Sequence, residues 1–186
     1  RSQHVKKSRA RDGKVIWSTS VGDVIKGAPT FMDVGGPAES RYVLIVGSRS
    51  GYGQHWRTGT AHSLHGVSYL SGKILWRHNS VATASNSRDV DASAIDLGGK
   101  AAIPLENGFF TVFSPDARKA SAKAGFPTPK IYKQMKLFKE SDRQLYRSEL
   151  CCESSPTVYR GTAYIAAGVG RVYACGFGFF GGLGWS

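Results

Sequence analysis

Short apolar runs of Val, Ile, Tyr, Phe and Ala alternate along the chain with clusters of Gly, Pro, Asp and Ser. That spacing predicts short antiparallel strands joined by tight turns. The runs recur in sets. Asp12-Gly13-Lys14-Val15-Ile16-Trp17 and Ser71-Gly72-Lys73-Ile74-Leu75-Trp76 share a turn followed by an apolar run ending in Trp. Lys136-Leu137-Phe138 reads as a degenerate third copy, and Gly184-Trp185 as the start of a fourth. The period is roughly sixty residues, the scale of a repeat array.

Downstream of each copy a second motif recurs: Gly27-Ala28-Pro29-Thr30-Phe31, Asp91-Ala92-Ser93-Ala94-Ile95 and Ser154-Ser155-Pro156-Thr157-Val158. Next comes an apolar run closing in a glycine turn (42–47 with Gly51, 101–105 with Gly108, 163–167 with Gly170), then another run at 63–70, 109–113 and 171–175. The interval from Trp76 to Ala94 equals that from Phe138 to Pro156. The interval from Ala94 to Gly108 equals that from Pro156 to Gly170. Four strands per unit predict an all-β fold, a partial β-propeller of about three four-stranded antiparallel blades over residues 1–186. The units fall at about 11–76, 77–138 and 139–185. Trp17 and Trp76 are expected at equivalent positions of successive four-stranded sheets, with Pro29 and Pro156 opening the innermost strands. Two segments break the period. Residues 49–61, rich in Gly, Ser and Thr around Trp56, read as an expanded loop. Residues 117–150 read as a basic insertion exposed between blades, which should hold most of any helix. Three blades do not close a ring, so its completion is expected from outside the 186 residues.

At this point the residues resemble a family. Ser-Ser-Pro-Thr-Val at 154–158, Tyr-Ile-Ala-Ala-Gly at 164–168, Gly-Arg-Val-Tyr-Ala at 170–174 and Ser-Gly-Lys-Ile-Leu-Trp at 71–76 are similar to the repeat of pyrroloquinoline-quinone-type (PQQ-like) β-propellers. The resemblance covers about residues 11–185 and is strongest at 66–113 and 153–174. It implies the propeller fold and a mostly extracytoplasmic location. It leaves activity open, because the repeat occurs in quinone-dependent dehydrogenases, in outer-membrane assembly lipoproteins and in cofactor-free scaffolds.

Composition narrows the picture. The chain has 186 residues, 41% of them hydrophobic and 11% aromatic, enough for a packed core and incompatible with a disordered basic tail. No apolar run reaches the ~20 residues of a membrane helix. Arg1 in place of Met, with no apolar signal core behind it, suggests a processed or excerpted chain. The net charge of +12 comes mainly from residues 1–14 and from the 117–150 segment. Such clusters attract polyanions, and Lys130, Lys133, Lys136, Lys139 and Arg143, interleaved with Phe126, Tyr132 and Phe138, are the candidate contacts. A merely solvated basic surface is the competing reading.

Chemistry-bearing residues are few. Adjacent Cys151 and Cys152 precede the strand lead-in at Pro156. In the quinone-dependent alcohol dehydrogenases of the resembled family, such a pair forms a disulfide ring against PQQ, with calcium nearby. The resemblance therefore offers Cys151 and Cys152 as cofactor-binding residues; the alternative is two small apolar thiols, with Cys175 as a third. Asp89, Asp91 and Asp96 lack the Asp-x-Asp-x-Asp-Gly spacing of a calcium loop and read as turn carboxylates. His62 and His65 would share a face only on a helix. With His55 and His78 they offer bases for a Ser-His-Asp site, but no Gly-x-Ser-x-Gly elbow is present. The expectation is a non-catalytic binding or scaffold module, without cofactor or metal, contacting a protein, the remaining blades or an anionic polymer. The alternatives are a piece of a PQQ-dependent dehydrogenase and an accessory propeller of a larger enzyme.

Overall fold

A computed structural model describes residues 3–49, 62–81, 83, 87–123, 125–146, 150–177 and 183–185. It contains three four-stranded antiparallel sheets in chain order. The first is β3 (Thr30–Asp33), β4 (Tyr42–Gly47), β5 (Leu64–Ser68) and β6 (Ile74–His78); the second is β7 (Ile95–Asp96), β8 (Ala101–Pro104), β9 (Phe109–Phe113) and β12 (Ile131–Lys136). The third is β13 (Thr157–Tyr159), β14 (Thr162–Ala167), β15 (Arg171–Phe177) and β16 (Leu183–Trp185). They are called blades one, two and three. A two-stranded sheet, β1 (His4–Ser8) with β2 (Val15–Ser20), precedes them. The fold is a partial β-propeller of three four-stranded blades, as the repeat predicts. Pro29 and Pro156 sit just before the first strands β3 and β13.

Three expectations need adjusting. Trp17 lies on β2, in a sheet with only two strands, so the Trp-ending run closes a sheet and the sheets span 30–78, 95–136 and 157–185. The segment 117–150 is not all insertion: β12 is the fourth strand of blade two, and only 117–130 interrupts that blade. The inserted piece, a 3-10 turn at Ala117–Lys119 and the hairpin β10 (Ser121–Lys123) with β11 (Phe126–Thr128), folds back on blade one. There Phe126 meets Arg77 at 4.6 Å and His62 edge-on at 4.9 Å. Finally, a short helix α1 (Ala38–Arg41) lies outside that segment, while α2 (Asp142–Tyr146) lies within it. The loop expected at 49–61 lies outside the described residues beyond Arg49.

Alternation along each strand buries one face against the next blade. Met32, Val43, Ile45 and Trp76 of blade one pack on Ala101, Ile103 and Phe113 of blade two, whose Ala102, Phe110 and Val112 pack in turn with Ala163, Ile165 and Cys175 of blade three. Trp76 requires Gly66 beneath it, where a Cβ would stand 2.1 Å from the indole. Phe138 lies beyond the end of β12 and fills the same core from under the Gly108 turn.

Candidate functional site

The segments that lead into the first strands lie one upon another. A Cβ on Gly27 would meet the Asp91 and Ala92 carbonyls at 2.7 and 2.8 Å, Thr30 Oγ1 donates to Ala94 O at 2.8 Å, and Ser155 Oγ accepts from Ser93 N at 2.9 Å. This stacking brings Lys26, Asp91 and Glu153, one from each lead-in, to the same end of the molecule. Glu106, on the turn between β8 and β9, joins them: one carboxylate oxygen from each of Asp91, Glu106 and Glu153 lies within 4.8 Å of the others.

Within the cluster, Lys26 Nζ makes a short ion pair with Asp91 Oδ2. The hydrogen bond to Asp91, ahead of burial, sets the direction of the Lys26 shift, which is upward. Asp91 Oδ1 is buried with no hydrogen-bond partner. Ser87 donates to Glu106 at 2.5 Å, yet burial, reinforced by Asp91 and Asp89, pushes the Glu106 carboxyl up to about 7. Arg49 faces Asp89 at 3.7 Å.

Beside Glu153 opens a cavity of about 480 Å3 lined by Cys151, Glu153, Ser154, Ala166, Ala167 and Gly168. The adjacent cysteines face different surroundings. Cys151 borders this cavity, with Sγ 3.9 Å from Glu153 Oε1. Cys152 is buried in the core between blades two and three and donates to Ala166 O at 3.0 Å, and burial raises its pKa to about 11. Both are free thiols, as is the buried Cys175.

The basic candidates separate. Lys130 lies just before β12, the edge strand of blade two, and with Lys100 approaches the Tyr132 ring, at 5.4 and 5.2 Å, while Lys133, on β12, is half-buried on the other side of the strand. Lys136 and Arg143 both bind Glu140 at 2.8 Å. The Lys139 amide donates to Asp142, whose buried carboxylate also accepts two bonds from Arg171, at 2.5 and 2.7 Å, and is held down to about 2 chiefly by them. Of the carboxylates read as turn groups, Asp96 accepts from Gly99 N as expected, while Asp89 and Asp91 belong to the cluster. His65 is buried, and burial drives its pKa down to about 3; His62 meets the Phe126 ring edge-on. The sequence reading missed Lys26 and Glu106. The signal was available in the repeat itself, since every lead-in and every glycine turn after the second strand must converge at one end of a propeller.

This architecture is that of a PQQ-like β-propeller. Among solved structures, BamB from Moraxella catarrhalis superposes with a TM-score of 0.56 at 18% identity, over 93% of this chain and 39% of that one. The quinohemoprotein alcohol dehydrogenase ADHIIG from Pseudomonas putida HK5 superposes with a TM-score of 0.51 at 15% identity, over 82% of this chain and 19% of that one. The chain thus spans well under half the length of either neighbour, and at these identities the likeness is one of fold. No family model and no curated protein matches the sequence. Among the described residues, no helix is long and apolar enough to cross a membrane.

Proposed function

We propose that the chain is a non-catalytic binding module, a partial propeller whose basic outer strand contacts an anionic partner, whether a protein surface or a polymer. The observation that carries this reading is how the charges divide. The buried carboxylates Asp91, Asp116 and Asp142 are paired with Lys26, Arg118 and Arg171, whereas no ion pair among the described residues involves Lys100, Lys130 or Lys133. Lys100 and Lys130 stand exposed around the Tyr132 ring at the start of β12, with the half-buried Lys133 on the strand itself, while other unpaired cations among the described residues, Lys6, Lys14, Lys73 and Lys139 included, are exposed elsewhere on the surface. Replacing these three lysines by Gln should lower the salt at which the chain elutes from heparin and flatten the dependence of log K on log salt, with the melting temperature unchanged. Unaltered elution would reject the surface. A location outside the cytoplasm accompanies this reading, supported by the resemblance to a mostly extracytoplasmic family.

A second reading is favoured by one atom. The partnerless Asp91 Oδ1, facing Glu106 and Glu153, suits a divalent cation such as calcium, which would replace the proton that burial holds on Glu106. Lys26 opposes it by already neutralising Asp91. A quinone bound alongside would rest on Cys151 alone, since Cys152 faces the core. Calcium that raises the melting temperature of the chain, but not of Asp91→Asn, would support this reading; no shift at millimolar calcium would end it.

A further inference from the structure

In each complete sheet the fourth strand forms the outer edge, and blades one and two treat that edge differently. The β10–β11 hairpin lies against β6, with Phe126 on Arg77. Among the described residues β12 pairs only with β9, although it belongs to the middle one of the three sheets. Its free edge is thus set by strand order within a complete blade. Just past the strand, Leu137 N donates to Gly108 O at 2.8 Å, so the alternation of an antiparallel ladder turns the backbone groups of Lys133 and Met135 toward β9 and those of Gln134 and Lys136 toward the open side. Gln134 and Lys136 are exposed, and they offer main-chain donors and acceptors to whatever lies beyond.

The side chains along this edge fix the sign of a partner. Lys130, Lys133 and Lys136 recur along it and Lys100 stands by Tyr132; among the described residues only Lys136 of these has an ion pair, to Glu140, and β12 itself carries no carboxylate. A second copy of this edge would set lysine near lysine, which disfavours pairing between copies. The bulge between Ile131 and Lys133 twists the start of the strand, so 133–136 is the stretch left to pair. An anionic polymer without amides would meet the lysines and leave the backbone of Gln134 and Lys136 unmatched. A peptide strand matches both.

We propose that the free edge of β12 binds an extended acidic segment of a partner protein by strand addition, so that blade two gains a fifth strand. This rests on the reading of the basic outer strand as a contact surface and names its occupant. The main chain at Gln134 and Lys136 supplies the pairing, while Lys130 and Lys133 select carboxylates on the added strand. The segment required is a short run in which Glu or Asp alternates with β-branched residues and proline is absent, since proline has no amide to give the ladder.

The test titrates the full chain with two capped peptides of equal length and charge, one alternating Glu with Thr and one alternating Glu with Pro, which keeps the carboxylates but cannot pair as a strand. With the Glu-Thr peptide in excess, amide exchange at Gln134 and Lys136 should slow by about tenfold or more, and the Glu-Pro peptide should leave both unchanged. Gln134→Pro removes an outward donor without removing a bond to β9, and should weaken Glu-Thr binding by about tenfold. If that variant melts below the parent, the two peptides alone decide. Equal effects of the two peptides, or Glu-Thr binding with exchange at Gln134 and Lys136 unaltered, overturn strand addition and leave the basic surface standing. Failure of both peptides, in a chain whose heparin elution still depends on Lys100, Lys130 and Lys133, overturns it too and makes a polymer the occupant. Failure of both with heparin elution indifferent to those lysines removes the surface as well.

Discussion

The cluster at the strand lead-ins and the outer strand of blade two are both rich in charge, yet they use it differently. At the lead-ins, Asp91 is shut away from water, so its charge must be met by Lys26 and Glu106 beside it must keep a proton. Just before β12, Lys130 stands in solvent, where a charge needs no partner and is available to one. The difference teaches that burial, not residue type, separates charges that tie blades together from charges that can meet another molecule.

Cutting the tie should give the largest effect. Asp91→Ala should destabilise the chain by about 2 to 3 kcal/mol, under the usual cost of breaking a buried pair because the abandoned Lys26 can reach water. Chemical denaturation with an unchanged m-value checks this, and a loss equal to that of a rim substitution would erase the contrast between the regions. The proton on Glu106 comes next. Its folded-state pKa, about 7, lies above the ordinary carboxylate value of 4.5, so the native state binds the extra proton. The contribution is complete below pH 4.5 and is lost as pH rises through 7, by roughly 2 kcal/mol after allowance for solvent screening. Melting curves should show this decline, with Asp91, Asp89, Glu153 and Lys26 facing the group, and Glu106→Gln should flatten it. Asp142 works in the opposite sense: its depressed pKa adds stability above pH 3.8 that disappears as pH falls toward 2.

On the rim the comparison can be sharpened between neighbouring cations. Lys136 and Arg143 share Glu140, whereas Lys130 and Lys133 have no such acid, so Lys130→Gln with Lys133→Gln should flatten the salt dependence of heparin binding more than Lys136→Gln with Arg143→Gln. Equal slopes would mean that pairing does not ration the surface. The smallest effect belongs to Glu140→Gln, which should leave the denaturation midpoint nearly unchanged, because exposed ion pairs contribute little.

The blades were legible because their signals are local. Pro29, Pro156 and the Gly-Lys-apolar-Trp turns each fix a strand end through backbone preference, and a repeat multiplies them. What escaped depends on strand order. Lys133 sits opposite Val112, the place Trp76 holds opposite Gly66, so charge replaced the aromatic marker and β12 read as loop. The lead-in cluster escaped because Lys26, Asp91, Glu106 and Glu153 are distant in sequence and share no spacing; only their common position in the repeat unites them. Cys151 and Cys152 stood out as a pair, although alternation along an extended chain sends neighbours to opposite sides.

The hairpin laid across β6 changes how the array should come apart. A row of repeats melts unit by unit unless some boundaries are stronger than others, and the Phe126 contact with Arg77 and His62 strengthens the boundary between blades one and two. These two blades should open together as one cooperative block, while blade three and the β1–β2 sheet fray from either side at lower free energy. An insertion that reads as an interruption of the repeat thereby turns part of a linear array into a single thermodynamic unit.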